Sequence, residues 1–307
     1  MLILPLEIVV LEGSMRKISI KKLLSRILTI ALLAPIVMGI ISFDMQPYGS
    51  LPFLIFIISV AVMSLNEFYN MAYQKEEPFF LTGHFLAITL ILMAFISEFR
   101  AYWLSPVIGA FTIGLLGFFL FELSTRRILF SDRKLAITLR GVFYIGLFYA
   151  FFILIRNLPF GKELVFSVLF TIWSLDIMAY VVGMTFGKHK LSPDISPKKT
   201  LEGAIGGFLA AVFMSFLLSS GVLQDAFPSS VNRFFAIHIG VWHSLVLGAI
   251  IGVLGQTGDL YESLIKRTYH VKDSSNILPG HGGILDRADS FILLAPVVYY
   301  YLAVLLV

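Results

Sequence analysis

Apolar runs recur nine times along the chain, over residues 24–42, 51–71, 79–97, 103–122, 138–156, 163–186, 201–220, 238–258 and 287–306, with short polar stretches between them. Crossing a bilayer as a helix takes about 20 mostly apolar residues. No run shows the alternating pattern of a transmembrane barrel strand, and backbone groups in lipid must be satisfied within their own segment. The pattern therefore predicts an all-α, polytopic integral membrane helical bundle of about nine transmembrane helices. No stretch of domain size remains for a soluble module.

The polar chemistry divides this bundle in two. Residues 1–170 read as the first five spans and carry few chemically suggestive groups. Residues 171–307 read as spans six to nine and carry the active site. At the very start, MLILPLEIVVLEG is too short to span, contains Pro5 and Glu7, and lacks the basic opening of a signal peptide. Residues 1–15 thus read as an extension ahead of the basic stretch MRKISIKKLLSR, which opens at Met15.

Composition agrees with a membrane protein: 58% of the 307 residues are hydrophobic and 14% charged, with mean hydropathy +0.90, against about a quarter charged in soluble domains. The absence of cysteine excludes structural disulfides, thiolate metal sites and thiol catalysis. The net charge of +4 is modest, so its placement matters more than its size. Basic residues collect in alternate loops: the N-terminal stretch, Arg126 to Lys134, Lys188 to Lys199, and Lys266 to Lys272. The positive-inside rule then puts the N-terminus in the cytoplasm and the C-terminus outside, with Arg156 and Lys162 as mild exceptions.

Three polar constellations fall on the predicted cytoplasmic side. In the sixth span, Asp176, Tyr180, Gly183 and Gly187 follow i, i+4, i+7 and i+11, sharing one helical face. An aspartate in a span costs about 2.5–3.5 kcal/mol on insertion scales, so it should face a partner or a wet cavity. A hydrogen-bonded carboxylate that only fixes packing is the competing reading, and it is the favoured one for Asn66, Glu67 and Asn70 in the second span. The nearby GMTFGK is one residue short of a phosphate-binding P-loop and sits at the wrong end of its helix.

The second constellation, SPKKTLEG at 196–203, reads as a helix start with Ser196 as cap and Pro197 in the first turn. Lys198 and Lys199 would then oppose the helix dipole unless an anion such as a phosphate sits there. Lysines that merely mark the cytoplasmic side remain the alternative.

The third joins the last two spans. Gly248, Gly252, Gly255 and Asp259 repeat the i, i+4, i+7, i+11 spacing, so a small-residue stripe ends in a carboxylate. Beyond it come Glu262, Lys266, Arg267, Lys272 and Asp273, then PGHGG, then Asp286 and Asp289 at i, i+3. Carboxylates converging among lysines and arginines suit a hard cation such as Mg²⁺, which takes one or two carboxylates and fills its shell with water and phosphates. Zinc lacks its paired histidines and thiols, and no GxSxG marks a serine nucleophile.

The run SLIKRTYHVKDSSNILPGHGGILDRAD, 263–289, resembles the signature of the phosphatidate cytidylyltransferases (CDP-diacylglycerol synthases), with S-x-x-K-R, K-D, P-x-H-G-G and D-R-x-D at that family's spacing. Ala288 departs from it, where the family usually has a larger apolar residue or threonine. The stretch from Asp176 through FGKHKL and SPKKTLEG is also similar, so the motif-level likeness covers roughly 173–290, and residues 1–170 match only in hydropathy.

The resemblance implies condensation of CTP with phosphatidic acid at the cytoplasmic face of a cell membrane, the plasma or inner membrane in a bacterium. It implies Asp259 and Asp286 as ligands of Mg²⁺, with K⁺ as a second cation, and a homodimer among membrane lipids. The catalytic set it implies adds Lys266, Arg267 and Asp289. Substrate contacts are expected from Asp176, Ser196, Lys198, Lys199 and Thr200, and from Lys272, Asp273, His281 and Arg287. A CTP-using polyprenol or phytol kinase and an ion-coupled transporter are the alternatives. The charges argue against transport, since most lie at one face of the membrane rather than near its midplane. No nucleic-acid partner is expected.

Overall fold

Apolar sequence in lipid has few ways to satisfy its backbone, and the computed structural model, which describes residues 34–45, 49–73, 77–96, 123–124, 134–220, 239–277 and 282–306, is mostly helical. After a helical stretch described over 34–42 come α1 (Leu51–Tyr73), α2 (Phe80–Ile96), α3 (Lys134–Asn157) and α4 (Gly161–Phe186). A two-stranded hairpin, β1 (Lys190–Ser192) and β2 (Ser196–Thr200), leads into α5 (Leu201–Ser219), followed by α6 (Val241–Thr268), α7 (Leu285–Ile292) and α8 (Leu294–Leu306).

Among the described residues, six helical stretches are long and apolar enough to cross a membrane, with α7 and α8 together forming the sixth. The seventeen-residue α2 is a shorter apolar helix. The expected span at 103–122 lies outside the described residues, and that at 24–42 is described only from residue 34.

Two boundaries differ from the expectation. The apolar run ending near 258 continues as helix to Thr268, so Asp259, Glu262 and Lys266 share one unbroken helix. The last span is interrupted at Leu293, between Ile292 and Leu294. Pro296 accounts for the break, because it has no N–H to donate and its ring crowds the carbonyl four residues earlier, that of Ile292.

A third difference is a correction. Ser196 does not cap a helix, and Lys198 and Lys199 do not occupy a first turn. They lie on β2, which pairs antiparallel with β1, with Lys190 opposite Thr200 and Ser192 opposite Ser196. The cap is Thr200, extended at φ −121°, whose Oγ1 accepts from Gly203 N at 3.2 Å. The first turn of α5 carries Glu202, which complements the helix dipole. The argument for an anion at that helix start therefore falls away.

Small residues set the helix spacing. A Cβ on Gly248 would lie 2.6 Å from Val212 Cα and one on Gly252 2.8 Å from Phe208 Cδ2, so α6 lies directly on α5. Gly258, outside the expected stripe, brings α6 against α7: a Cβ there would sit 2.5 Å from the Asp289 carbonyl oxygen. Phe68, Tyr69, Tyr144, Ile145, Tyr261, Leu285 and Ile292, all fully buried, fill the core between α1, α3, α6 and α7. At the far end of the bundle from these helix ends, Asp44 pairs with Arg156 and Lys162, which neutralises the two basic residues that fit the positive-inside pattern least.

Candidate functional site

The C-terminal ends of α1, α4 and α6, the hairpin, and the N-terminal ends of α5 and α7 meet at one end of the bundle. The segment after α6 is fixed there by Asp286 in the first turn of α7. Asp286 Oδ2 accepts from Gly283 N at 2.8 Å and Ser274 N at 2.9 Å, with Ser274 Oγ also at 2.9 Å. Its Oδ1 accepts from Lys266 Nζ at 2.6 Å. Gly282, at φ +82°, adopts a conformation L side chains rarely take, and a Cβ there would lie 2.6 Å from Asp286 Oδ2. Two glycines of PGHGG thus serve the tight turn expected of them: a Cβ on Gly283 would fall 2.0 Å from Ser274 Oγ.

Lys266 also pairs with Glu262 one turn earlier on α6. Glu262 is fully buried, and its Oε1 accepts no hydrogen bond among the described residues. One ammonium group therefore bridges two carboxylates in a place shielded from water. Charges so placed survive only because they are paired.

Beside this triad, Asp259 on α6 is ion-paired with Lys199 on β2. Asp176 on α4 lies within electrostatic range of Asp259, Lys199 and Arg287, and its side chain stays accessible. The face it was expected to define is split: the Gly183 and Gly187 end closes on Thr200, while Asp176 and Tyr180 remain open. Asp289 is buried, accepts from Ser290 N at 2.6 Å, and faces the charges of Asp259, Glu262 and Asp176. Five acidic groups, Asp176, Asp259, Glu262, Asp286 and Asp289, thus outnumber the cations Lys199, Lys266 and Arg287.

The remaining expected residues divide clearly. Lys198, Lys272, Asp273 and Arg287 are exposed around the cluster, and His281 lies outside the described residues. Ser196 belongs to the hairpin ladder and Thr200 caps α5. Arg267 donates from Nε to Ile195 O at 3.2 Å and from Nη1 to Val271 O at 3.1 Å, which ties the hairpin turn to the end of α6.

Two carboxylates outside the expected set also hold loops of the site. Glu202 accepts from Lys188 N at 3.0 Å and contacts His189 Nδ1 at 2.7 Å, holding the hairpin's approach to α5. Glu67 on α1, expected only to fix packing, reaches across more than 200 residues of sequence to the loop at 274–285. The signal that could have found Glu202 was its place in the first turn after Thr200; for Glu67 no local signal existed.

The donor set suits a hard cation. Asp259 engages Lys199 through Oδ2, leaving Oδ1 for another partner. Asp286 has Oδ2 filled by donors of the loop and Oδ1 engaged by Lys266, so an ion there would share Oδ1 with that ammonium group. Among the described residues no three Asp, Glu or His side chains gather into a metal cluster of their own. An ion here would thus complete its shell with water and substrate oxygens, as Mg²⁺ does.

The chain matches the cytidylyltransferase family over residues 24–305. It is 38% identical to the phosphatidate cytidylyltransferase of Bacillus subtilis (strain 168) over 258 residues, 83% of this chain and 90% of that protein. It is 35% identical to the protein of that name from Staphylococcus aureus (strain COL) over 251 residues, covering 81% and 88%. The counterpart from Staphylococcus epidermidis (strain RP62A) is 33% identical over 250 residues, covering 81% and 88%.

Proposed function

The chain belongs to the cytidylyltransferase family, and from that premise we propose that it transfers CMP from CTP to phosphatidic acid in the membrane. A phosphate oxygen of phosphatidate attacks the α-phosphorus of CTP, the bond from that phosphorus to the bridging oxygen breaks, and pyrophosphate leaves. CDP-diacylglycerol is the lipid product. The observation that carries this reading is the juxtaposition of the signature loop, clamped by Asp286, with Asp259 and Lys199 at one end of a membrane bundle.

The attacking oxygen is already anionic, so the reaction calls for alignment and charge neutralisation more than for a general base. That requirement matches a site of lysines, arginines and carboxylates. Lys199, held on the rigid hairpin, can exchange Asp259 for a phosphate oxygen when substrate arrives. Lys198, Lys272 and Arg287, exposed at the rim, supply further positive charge to an incoming triphosphate or lipid phosphate. Lys266 keeps Asp286 and Glu262 in place from within.

Asp259, and Asp286 through Oδ1, would hold Mg²⁺. Bound there, the ion would neutralise phosphate charge and orient the α-phosphate. The basic loops support an orientation with this end in the cytoplasm, where CTP is found, while the acyl chains of the lipid stay in the bilayer.

The test is an assay of purified protein in detergent with Mg²⁺, phosphatidic acid and α-labelled CTP, resolved by thin-layer chromatography. Label should enter lipid and pyrophosphate should be released in equal amount. Label that stays in CDP, with a phosphorylated alcohol as product, would instead mark a lipid kinase.

A further inference from the structure

Glu67 lies near the end of α1 that faces the site, in a part of the chain whose only apparent task is to cross the membrane. It is 2% exposed. Its carboxylate nevertheless accepts four hydrogen bonds, all from the signature segment. Ser274 Oγ donates at 2.8 Å, Ser275 Oγ at 2.6 Å, Ile284 N at 2.9 Å and Leu285 N at 2.8 Å. The last two N–H groups belong to the start of α7, where unpaired donors and the helix dipole both favour an anion.

Ser274 links this carboxylate to the site. Its hydroxyl lies within hydrogen-bond distance of both Glu67 Oε2 and Asp286 Oδ2, at 2.8 and 2.9 Å, and its N–H donates to Asp286. Gly283 completes the contact, since a Cβ there would come 2.4 Å from Glu67 Oε2. Glu67 therefore grips both ends of the loop at once: the serines that follow Lys272 and Asp273, and the turn that presents Asp286.

We propose that Glu67 is a positioning residue for the cytidylyl transfer, which fixes Asp286 through Ser274 and the first N–H groups of α7. The inference rests on the reading of Asp286 as a site residue. A buried glutamate that served only the packing of α1 would need partners, but not four from one loop, and not one shared with Asp286. Partners that orient a ligand's carboxylate typically change metal affinity or activity by about 10- to 100-fold when removed.

The experiment compares wild type with Glu67→Gln, Glu67→Asp, Ser274→Ala and the double variant Glu67→Gln/Ser274→Ala in the labelled-CTP assay across a Mg²⁺ titration. Glu67→Gln places amide donors against the donors of the loop. It should lower kcat by about 10-fold or more and raise the Mg²⁺ concentration for half-maximal rate, with the KM for phosphatidate little changed. Glu67→Asp should recover part of the rate. The double variant should lose less than the product of the two single losses, because both act through Asp286.

Glu67→Gln within two-fold of wild type in kcat and Mg²⁺ requirement would overturn the inference, as would a rate loss with no shift in that requirement. If Glu67→Gln fails to fold, Ser274→Ala and Ser275→Ala, which remove only hydroxyl groups, carry the same comparison. A wild-type protein without transferase activity would overturn the proposed function instead, so the two failures are distinguishable.

Discussion

Lys199 on the hairpin is ion-paired with Asp259 on α6, and its neighbour Lys198 is exposed on the other side of the strand. Successive residues of a strand point to opposite faces. Two adjacent lysines thus have different surroundings, and only Lys199 reaches the acidic cluster. Lys199→Gln should raise the KM for CTP by about 10-fold or more, the scale of one charge-assisted hydrogen bond. Lys198→Gln should have a smaller effect. Equal effects in a steady-state CTP titration would contradict the separation of the two side chains.

Asp259 and Asp286 should separate in a different way. Replacing either by Asn should reduce turnover by at least about 100-fold if each holds the metal. Asp259→Asn should leave thermal stability nearly unchanged, because Asp259 is partly exposed and engages one lysine. In Asp286→Asn, either orientation of the amide sets a donor against Lys266 or against Ser274 and Gly283. That variant should also lose about 1–3 kcal/mol of stability, measurable as a lower melting temperature in detergent.

These side chains differ in how far the sequence alone marks them. Six of the nine expected spans were legible because lipid imposes length and composition, and Gly282 and Gly283 because a tight turn calls for glycine. The hairpin was missed because Ser196 and Thr200 are both good caps, and a proline in the first turn favoured the earlier one. The objection that two lysines would then oppose the dipole was sound; its resolution was a later helix start with Glu202 in the first turn. Glu67 was beyond reach, because its four partners are distant in sequence and burial alone does not tell a packing carboxylate from a positioning one.

The bridge from Lys266 to Glu262 and Asp286 makes a further expectation. Lys266→Met would leave two shielded carboxylates with no cation between them. Breaking a buried pair from one side costs about 3–5 kcal/mol, so this variant should be poorly expressed or strongly destabilised. Adding Glu262→Gln should restore part of the melting temperature, since it removes the charge with fewest other partners. No recovery in the double variant would show that the loss does not come from the uncompensated charge of Glu262.

At the opposite end of the bundle, Asp44 gives a pH-dependent prediction independent of catalysis. Burial alone would raise its pKa, but the hydrogen bonds and charges of Lys162 and Arg156 outweigh that effect and hold it below its ordinary value of 3.8. A group whose pKa is depressed on folding adds stability that is fully present above the unfolded value. It is lost as the pH falls through the folded one. The protein should therefore lose melting temperature below about pH 4, and Asp44→Asn should be less stable at neutral pH and show a smaller loss over that range. Arg156, buried and bonded to Asp44 at 2.5 Å, would be left without its anion in that variant. The cost should be about 1–3 kcal/mol. Transferase activity at neutral pH and moderate temperature should change little, because no residue of the acidic cluster touches this pair; melting curves at pH 3 to 7 for both proteins would decide it.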